Sequence, residues 1–212
     1  MNIGGAILAG GRGQRMGGVD KALLALSASH TLLHVAIARL APQVDGIVLN
    51  ANGDPSRFAA FGVPVVADRI DGFVGPLAGL HAVLDDAARS GRWSHVVTVP
   101  ADTPFLPADL VAGLTAAAAD ATEIVIAASL GRGHPVIGLW PVCLAGALRD
   151  HLTSGAGRSM MAFLAGSPHR LRDFPARPDS DPFFNVNTSE DLEEARRRLV
   201  RSTTPGQSPG FV

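Results

Sequence analysis

The sequence predicts an α/β protein built around a mostly parallel sheet, and three observations predict it. Short apolar, β-branched runs alternate with amphipathic stretches along the 212 residues, the pattern of repeated βαβ units. One of those runs, "HVVTVP" (95–100), is apolar almost throughout, as a strand covered on both faces must be. Two helical stretches open on proline, at Pro76 and Pro107, where the missing N–H would have had no partner anyway.

The elements follow in order. "IGGAIL" (3–8) reads as the first strand and "TLLHVAIARLA" (31–41) as an amphipathic helix. "GIVLN" (46–50) and "VPVVA" (63–67) are the second and third strands, and "PLAGLHAVLDDAARS" (76–90) is a helix. The central strand 95–100 precedes a helix over 107–119, and "EIVIAAS" (123–129) is another strand. "HPVIGLW" (134–140) reads as a further, antiparallel strand. Helices are expected near 141–151 and 157–165, then an irregular segment through 183. The last helix is 189–200, with Glu193–Arg197 and Glu194–Arg198 pairs one turn apart. Residues 1–200 are expected to form one domain, with a disordered Ser/Thr/Pro/Gly-rich tail over 201–212.

Composition removes several classes of function. A net charge of −1 lacks the basic surplus of a nucleic-acid binder. No apolar run is long enough to span a bilayer, and Met1 to Gly11 lacks the basic start of a signal peptide. The single cysteine, Cys143, excludes an internal disulfide, suits a cytoplasmic setting and reads as core. His30, His34 and His134 read as surface or structural groups rather than metal ligands or acid–base groups. Two biases are informative. The 18 basic residues are 17 arginines and one lysine, Lys21, and every asparagine except Asn2 lies in an N-x-N pair, Asn50/Asn52 or Asn185/Asn187.

Ligands of open α/β sheets bind beyond the carboxyl ends of the strands. Four predicted strands end in distinctive polar features: Gly10-Gly11 with Arg15 and Lys21 beyond, then Asn50, Asp68 and Asp102. The first of these, "LAGGRGQRMGGVDK", is neither a P-loop, since Lys21 follows Asp20 rather than glycine, nor a dinucleotide fingerprint, since Met16 stands where the third glycine belongs. It remains a cationic, NH-rich loop in which freed amides approach a triphosphate while Arg15 and Lys21 neutralise it. Asp102, in "VPADTPFL", is the best Mg²⁺ candidate, because that ion takes one or two carboxylates and completes its shell with phosphates and water. Asp68 is a second acidic contact to the metal or the nucleotide. Asn185 and Asn187, two apart in an extended stretch, share a face, and either Asn187 or Thr188 caps the last helix. "GPLAG" (75–79) brings a helix N-terminus toward an anion or a base edge.

Together these segments resemble one family. "LAGGRGQRMGGVDKALL", "VLNAN", "VVADR", "GPLAGL", "PADTPFL", "HPVIGL" and "FFNVNTSEDL" occur in the order seen in molybdenum cofactor guanylyltransferases, from about Ile3 to Val200. The resemblance implies a Rossmann-like three-layer nucleotidyltransferase fold. It also implies transfer of GMP from Mg-GTP to the terminal phosphate of molybdenum-bearing molybdopterin. Carried over, Leu8, Ala9, Gly10 and Gly11 contact the nucleotide, Lys21 binds phosphate, and Asn50 and Asp68 contact the guanosine. Asp102 binds GTP and Mg²⁺, Arg15 is the loop arginine, and Asn185 and Asn187 belong to the pterin side. Hand-over to cofactor-delivering or acceptor proteins fits such a role, although no motif identifies one. Three alternatives stay open: a CTP-dependent cytidylyltransferase on the same acceptor, whose loop typically reads L-A-A-G; a sugar-phosphate nucleotidyltransferase; and a nucleotide-binding module without catalysis.

Overall fold

In the computed structural model the described residues are 1–9, 15–16, 19–70, 72, 75–155 and 157–203, with the backbone alone at 15, 16, 19, 202 and 203. The strands are β1 (Ile3–Leu8), β2 (Arg15–Met16), β3 (Val19–Asp20), β4 (Gly46–Asn50), β5 (Val65–Val66), β6 (His95–Pro100), β7 (Ile124–Ser129), β8 (Arg132–Pro141) and β9 (His169–Asp173). The helices are α1 (Leu32–Leu40), α2 (Pro76–Ser90), α3 (Leu110–Ala117), α4 (Ala145–Ser154), α5 (Met160–Ala165) and α6 (Ser189–Thr203).

Seven strands form one sheet in the order β5-β4-β1-β6-β8-β7-β9, and β2-β3 is a separate hairpin. β1, β4, β5 and β6 are mutually parallel, so Leu8, Asn50, Val66 and Pro100 end at the same edge. β8 alone is antiparallel to its neighbours β6 and β7. A two-residue turn reverses the chain between β7 and β8: Leu130 (φ 51°) and Gly131 (φ 73°) both have positive φ, the requirement of a type I′ hairpin. That turn carries the amino end of β8, with Arg132 and His134, to the edge where β1 and β6 end.

The sheet is buried on both faces by alternating side chains. Ile7, Leu49, Val97 and Val99 face one core with α1 and α3, whereas Ala6, Val48 and Val96 face the other with α2, α4 and α5. β1 carries two glycines that weaken it on propensity. Trp93 accounts for one of them, because a Cβ on Gly4 would lie 2.0 Å from its ring. A third, smaller cluster joins Leu32 and Val35 of α1 to Leu192 and Ala195 of α6, with Val186 between them. Arg196 of α6 reinforces it by donating to the Ala25 carbonyl at 2.8 Å. This packing returns the chain near 185 to the edge where β1 and β6 end.

Several expectations need correction. The segment 166–183 contains β9, an edge strand parallel to β7; its five residues are all exposed, so it lacks the apolar signature of a strand. α3 begins at Leu110 rather than Pro107, since Pro107 sits in the preceding turn and its carbonyl accepts from Leu110 N. Only Val65 and Val66 of 63–67 pair as a strand. α6 runs on to Thr203, and residues 204–212 of the expected tail lie outside the described residues. Glu194 takes both Arg197 and Arg198, while Glu193 pairs with Arg196, so the expected Glu193–Arg197 pair does not form. Cys143 is exposed, because the short turn Val142–Leu144 points Val142 inward instead. Among the described residues no helix is long and apolar enough to cross a membrane.

Candidate active site

Lys21 sits where three sequence-distant segments meet. The β2-β3 hairpin sets Arg15 opposite Asp20, and Asp20 caps the single turn Lys21–Leu23 by accepting from Ala22 N at 3.2 Å. Lys21 is only 8% exposed. Its ammonium lies 2.5 Å from Asp102 Oδ2 and 2.8 Å from Asn187 Oδ1. A buried ammonium is tolerable only with such partners. Asp102 follows β6, and its backbone carbonyl accepts from Val186 N at 2.9 Å, which pins the 183–188 segment beside it. The other carboxylate oxygen, Oδ1, is buried and has no partner among the described residues. A buried carboxylate oxygen without a donor calls for a partner, and a bound cation is one that fits it.

The helix cap explains why Asn187 is available. Thr188 Oγ1 accepts from Asp191 N at 3.1 Å, and Asp191 Oδ2 accepts from Thr188 N at 2.9 Å, a reciprocal capping box. Asp191 also accepts from Asn187 N at 2.9 Å. Desolvation is the largest single effect and raises its pKa, but the bonds from Asn187 N, Thr188 N and the Thr188 side chain, with the Lys21 charge, together outweigh it and hold the carboxyl below the usual carboxylate range. With the cap supplied by Thr188 and Asp191, the Asn187 amide is left to Lys21. Asn185 is exposed and lines the same cleft.

Asn50 and Asp68 form a second group on the same edge. Asn50 Nδ2 donates to Asp68 Oδ1 at 2.9 Å and to the Val66 carbonyl at 3.0 Å. Asn52 grips Asp68 twice, donating to Oδ2 at 2.7 Å and accepting from Asp68 N at 2.8 Å. Gly79 of α2 lies so close that a Cβ there would sit 2.2 Å from Asn50 Oδ1. The glycine of "PLAG" is therefore a packing requirement of Asn50. Both oxygens of Asp68 are occupied by amides and Asp68 does not line the cleft, which argues against the reading of Asp68 as a metal contact.

Arg57 ties the two groups together. Its guanidinium donates to Asp20 Oδ2 at 2.9 Å, to the Asn52 carbonyl at 2.5 Å and to the Asp54 carbonyl at 3.1 Å, using all three nitrogens. Asp20 in turn caps the turn that presents Lys21.

Between these elements lies a cleft of about 370 Å³. One wall is Leu8, Ala9, Lys21 and Asp102; the other is the Arg132–Ile137 stretch of β8, with Phe183 and Asn185. Ala9 N donates to the Asn50 carbonyl at 2.9 Å and Ala101 N to Leu8 O at 3.1 Å, so the end of β1 is stitched between its neighbours. Leu8, Ala9, Lys21, Asp102, Asn185 and Asn187 thus come together as expected. Gly10, Gly11 and the Arg15 side chain lie outside the described residues. Sequence reasoning missed Arg57, which carries no motif, and undervalued Asn52, although the N-x-N pairing pointed to it. His134 proves to be both structural and cleft-lining. His34, expected at the surface, is instead partly buried and accepts from Thr31 N at 3.2 Å in the α1 cap. Among the described residues no cluster of three or more His, Cys, Asp or Glu is arranged to hold a metal, so an ion here would rest on Asp102 and on ligand oxygens.

Comparison with known proteins agrees with this geometry. The family model of the MobA-like NTP transferase domain matches residues 5–171. A molybdenum cofactor guanylyltransferase of Rhodopseudomonas palustris (strain BisB5) is 50% identical, covering 93% of this chain and 94% of its own. One from Mesorhizobium japonicum is 44% identical over 96% and 99%. Among solved structures, the molybdopterin-guanine dinucleotide biosynthesis protein A of Archaeoglobus fulgidus superposes with a TM-score of 0.71 at 20% identity, covering 93% of this chain and 99% of that one. The 4-diphosphocytidyl-2C-methyl-D-erythritol synthase of Anaerococcus prevotii gives 0.71 at 14% identity over 94% and 96%, so the two share the fold. By sequence and by fold, the chain belongs to the MobA-like NTP transferase family, in the company of the molybdenum cofactor guanylyltransferases.

Proposed function

We propose that the protein transfers GMP from GTP to the terminal phosphate of molybdenum-bearing molybdopterin, releasing pyrophosphate. The observation that carries this reading is the Lys21–Asp102–Asn187 cluster at the mouth of a cleft with two distinct walls. An acceptor phosphate oxygen attacks the α-phosphorus, the new P–O bond forms as the α–β bridge bond breaks, and pyrophosphate leaves with that electron pair. The nucleophile is already anionic, so no general base is needed. Catalysis of this kind is positioning and charge neutralisation. Lys21 and Arg15 neutralise the triphosphate, Leu8, Ala9, Gly10 and Gly11 offer backbone to it, and Asn50 and Asp68 take the guanosine. Asn185 and Asn187 serve the pterin side.

The donor set fits Mg²⁺. Asp102 would hold it through Oδ1, the oxygen left without a partner, while Oδ2 stays with Lys21. A bound Mg²⁺ supplies charge stabilisation for the phosphate oxygens. A cytoplasmic setting suits a chain whose one cysteine is unpaired.

The test is incubation with each nucleoside triphosphate, Mg²⁺ and molybdenum-molybdopterin, followed by measurement of pyrophosphate and of the nucleotide joined to the pterin. GTP should give the guanine dinucleotide, and chelation of the metal should stop it. Preference for CTP would establish the cytidylyltransferase instead, and GTP consumption without a pterin dinucleotide would defeat the proposal.

A further inference from the structure

The β8 wall of the cleft carries polar groups to which nucleotide binding assigns no task. His134 Nε2 lies 2.8 Å from Ser129 Oγ, and Ser129 Oγ donates to Asp181 Oδ1 at 2.8 Å. A hydroxyl has one proton. Since that of Ser129 goes to Asp181, its bond with His134 requires the proton to sit on Nε2 of the imidazole. Asp181 is itself fixed, because the same Oδ1 accepts from Phe183 N at 3.0 Å. The Phe183 ring packs on the imidazole with centroids 4.9 Å apart. Ring orientation and tautomer are therefore both set by the protein. Burial lowers the His134 pKa, with Arg132 adding to that effect and Asp181 opposing it, so the neutral form prevails near pH 7. Neutral His134 with Nε2–H has one free lone pair, on Nδ1, which no described residue contacts through a hydrogen bond. Arg132, two residues earlier on the same face of β8, is exposed at the same cleft and makes no ion pair among the described residues.

We propose that His134, oriented by the Asp181–Ser129 relay, is a specificity residue for the acceptor substrate: its Nδ1 lone pair receives an N–H of a heteroaromatic ring, while Arg132 takes an anionic group of the same molecule. This rests on the nucleotidyl-transfer reading, in which the acceptor is a pterin carrying ring N–H donors and a phosphate. The opposite wall, with Lys21 and Asp102, then serves the nucleotide alone. Loss of such a bond to a group otherwise left unpaired should change affinity roughly tenfold to a hundredfold, about 1.4–2.8 kcal/mol.

The test separates the two walls by titrating molybdopterin and Mg-GTP independently into the full chain. His134→Gln keeps a donor where Nε2 stood, and with it the Ser129 bond, but removes the Nδ1 acceptor. His134→Asn restores an acceptor near the Nδ1 position. The Gln variant should bind molybdopterin at least tenfold more weakly, the Asn variant should recover part of that loss, and Arg132→Gln should weaken the same ligand. Ser129→Ala, which frees the tautomer, should cost several-fold. Affinity for Mg-GTP should stay within twofold of wild type in all four variants, and this also serves as the folding control. Equal molybdopterin binding by wild type and the Gln variant would overturn the assignment while leaving the transfer reading intact. A parallel loss of both ligands would reduce His134 to a structural role and also overturn it. Failure of the wild-type protein to make a pterin dinucleotide is a separate result, and it would remove the transfer reading itself.

Discussion

Two polar groups share one edge of the sheet, and they are built on opposite principles. The Asn50–Asn52–Asp68 group is closed: each carboxylate oxygen has an amide donor, and α2 presses Gly79 against Asn50. The Lys21–Asp102–Asn187 group is open: a buried ion pair faces a cleft, and one oxygen of Asp102 lacks a partner among the described residues. A satisfied network of neutral donors and one carboxylate holds a shape, which suits recognition of a base or ribose edge. An incompletely satisfied charge pair holds a potential, which suits chemistry on phosphates.

Breaking the open group should have the largest effect. Asp102→Asn removes the charge that holds Lys21 and would hold the metal, and turnover should fall about a thousandfold or more. Lys21→Ala should cost about a hundredfold to a thousandfold in kcat, the range for removing one preorganised stabilising donor. Steady-state pyrophosphate release measures both. A residual activity within tenfold of wild type would remove either residue from its assigned role. Asp102→Asn also leaves the buried Lys21 ammonium without its anion, so the denaturation midpoint should fall as well, and activity is compared at a temperature where the variant remains folded.

Breaking the closed group should instead show in stability and nucleotide affinity. Inside a helix, glycine to alanine ordinarily stabilises by about 1 kcal/mol. Gly79→Ala should do the reverse, because the new Cβ would meet Asn50 Oδ1 at 2.2 Å. The displacement is an overpacking defect of about 1–3 kcal/mol, visible in urea or thermal denaturation. An unchanged or raised midpoint would mean that Asn50 is free to move and that the group is less closed than its bonds indicate. Arg57→Leu cuts the strut between the groups. The side chain is half exposed, so stability should change little, whereas the KM for GTP should rise several-fold with kcat nearly unchanged. Arg57→Lys should not rescue it, since one ammonium cannot reproduce a three-point fork.

The same contrast explains what was legible in the sequence. The strand ends that form the two groups carried local signals: apolar runs of the right period, each followed by an asparagine, an aspartate or a glycine loop. Parallel topology then placed Leu8, Asn50, Asp68 and Asp102 on one edge. Partnership was not legible. Nothing at Arg57 announces that it reaches both Asn52 and Asp20, because an exposed arginine in a polar turn is ordinary. The choice of Thr188 over Asn187 as helix cap depended on Asp191 completing a reciprocal box, a three-dimensional preference that spacing alone leaves open. β9 escaped because an edge strand with every residue exposed has no core face to imprint on its sequence. Cys143 escaped for the converse reason: its neighbours are apolar, but a tight turn decides which of them points inward.

The mildest test is acid. His81, on the buried face of α2, and His134, on the cleft wall, both have pKa values lowered chiefly by burial, as does His95 at the far end of β6. A histidine whose folded pKa lies below its unfolded value binds fewer protons in the native state. Its stabilising contribution is therefore fully present above about pH 6.5 and is lost as pH falls through the folded value. The denaturation midpoint should hold near neutrality and decline below about pH 6.5. His95→Gln should flatten that decline without touching ligand binding, because its Nε2 serves only the Ala121 carbonyl. His134→Gln should flatten it too, but with the molybdopterin loss described above. If the two variants behave alike in both measurements, His134 is a core histidine like His95, and the cleft has one functional wall rather than two.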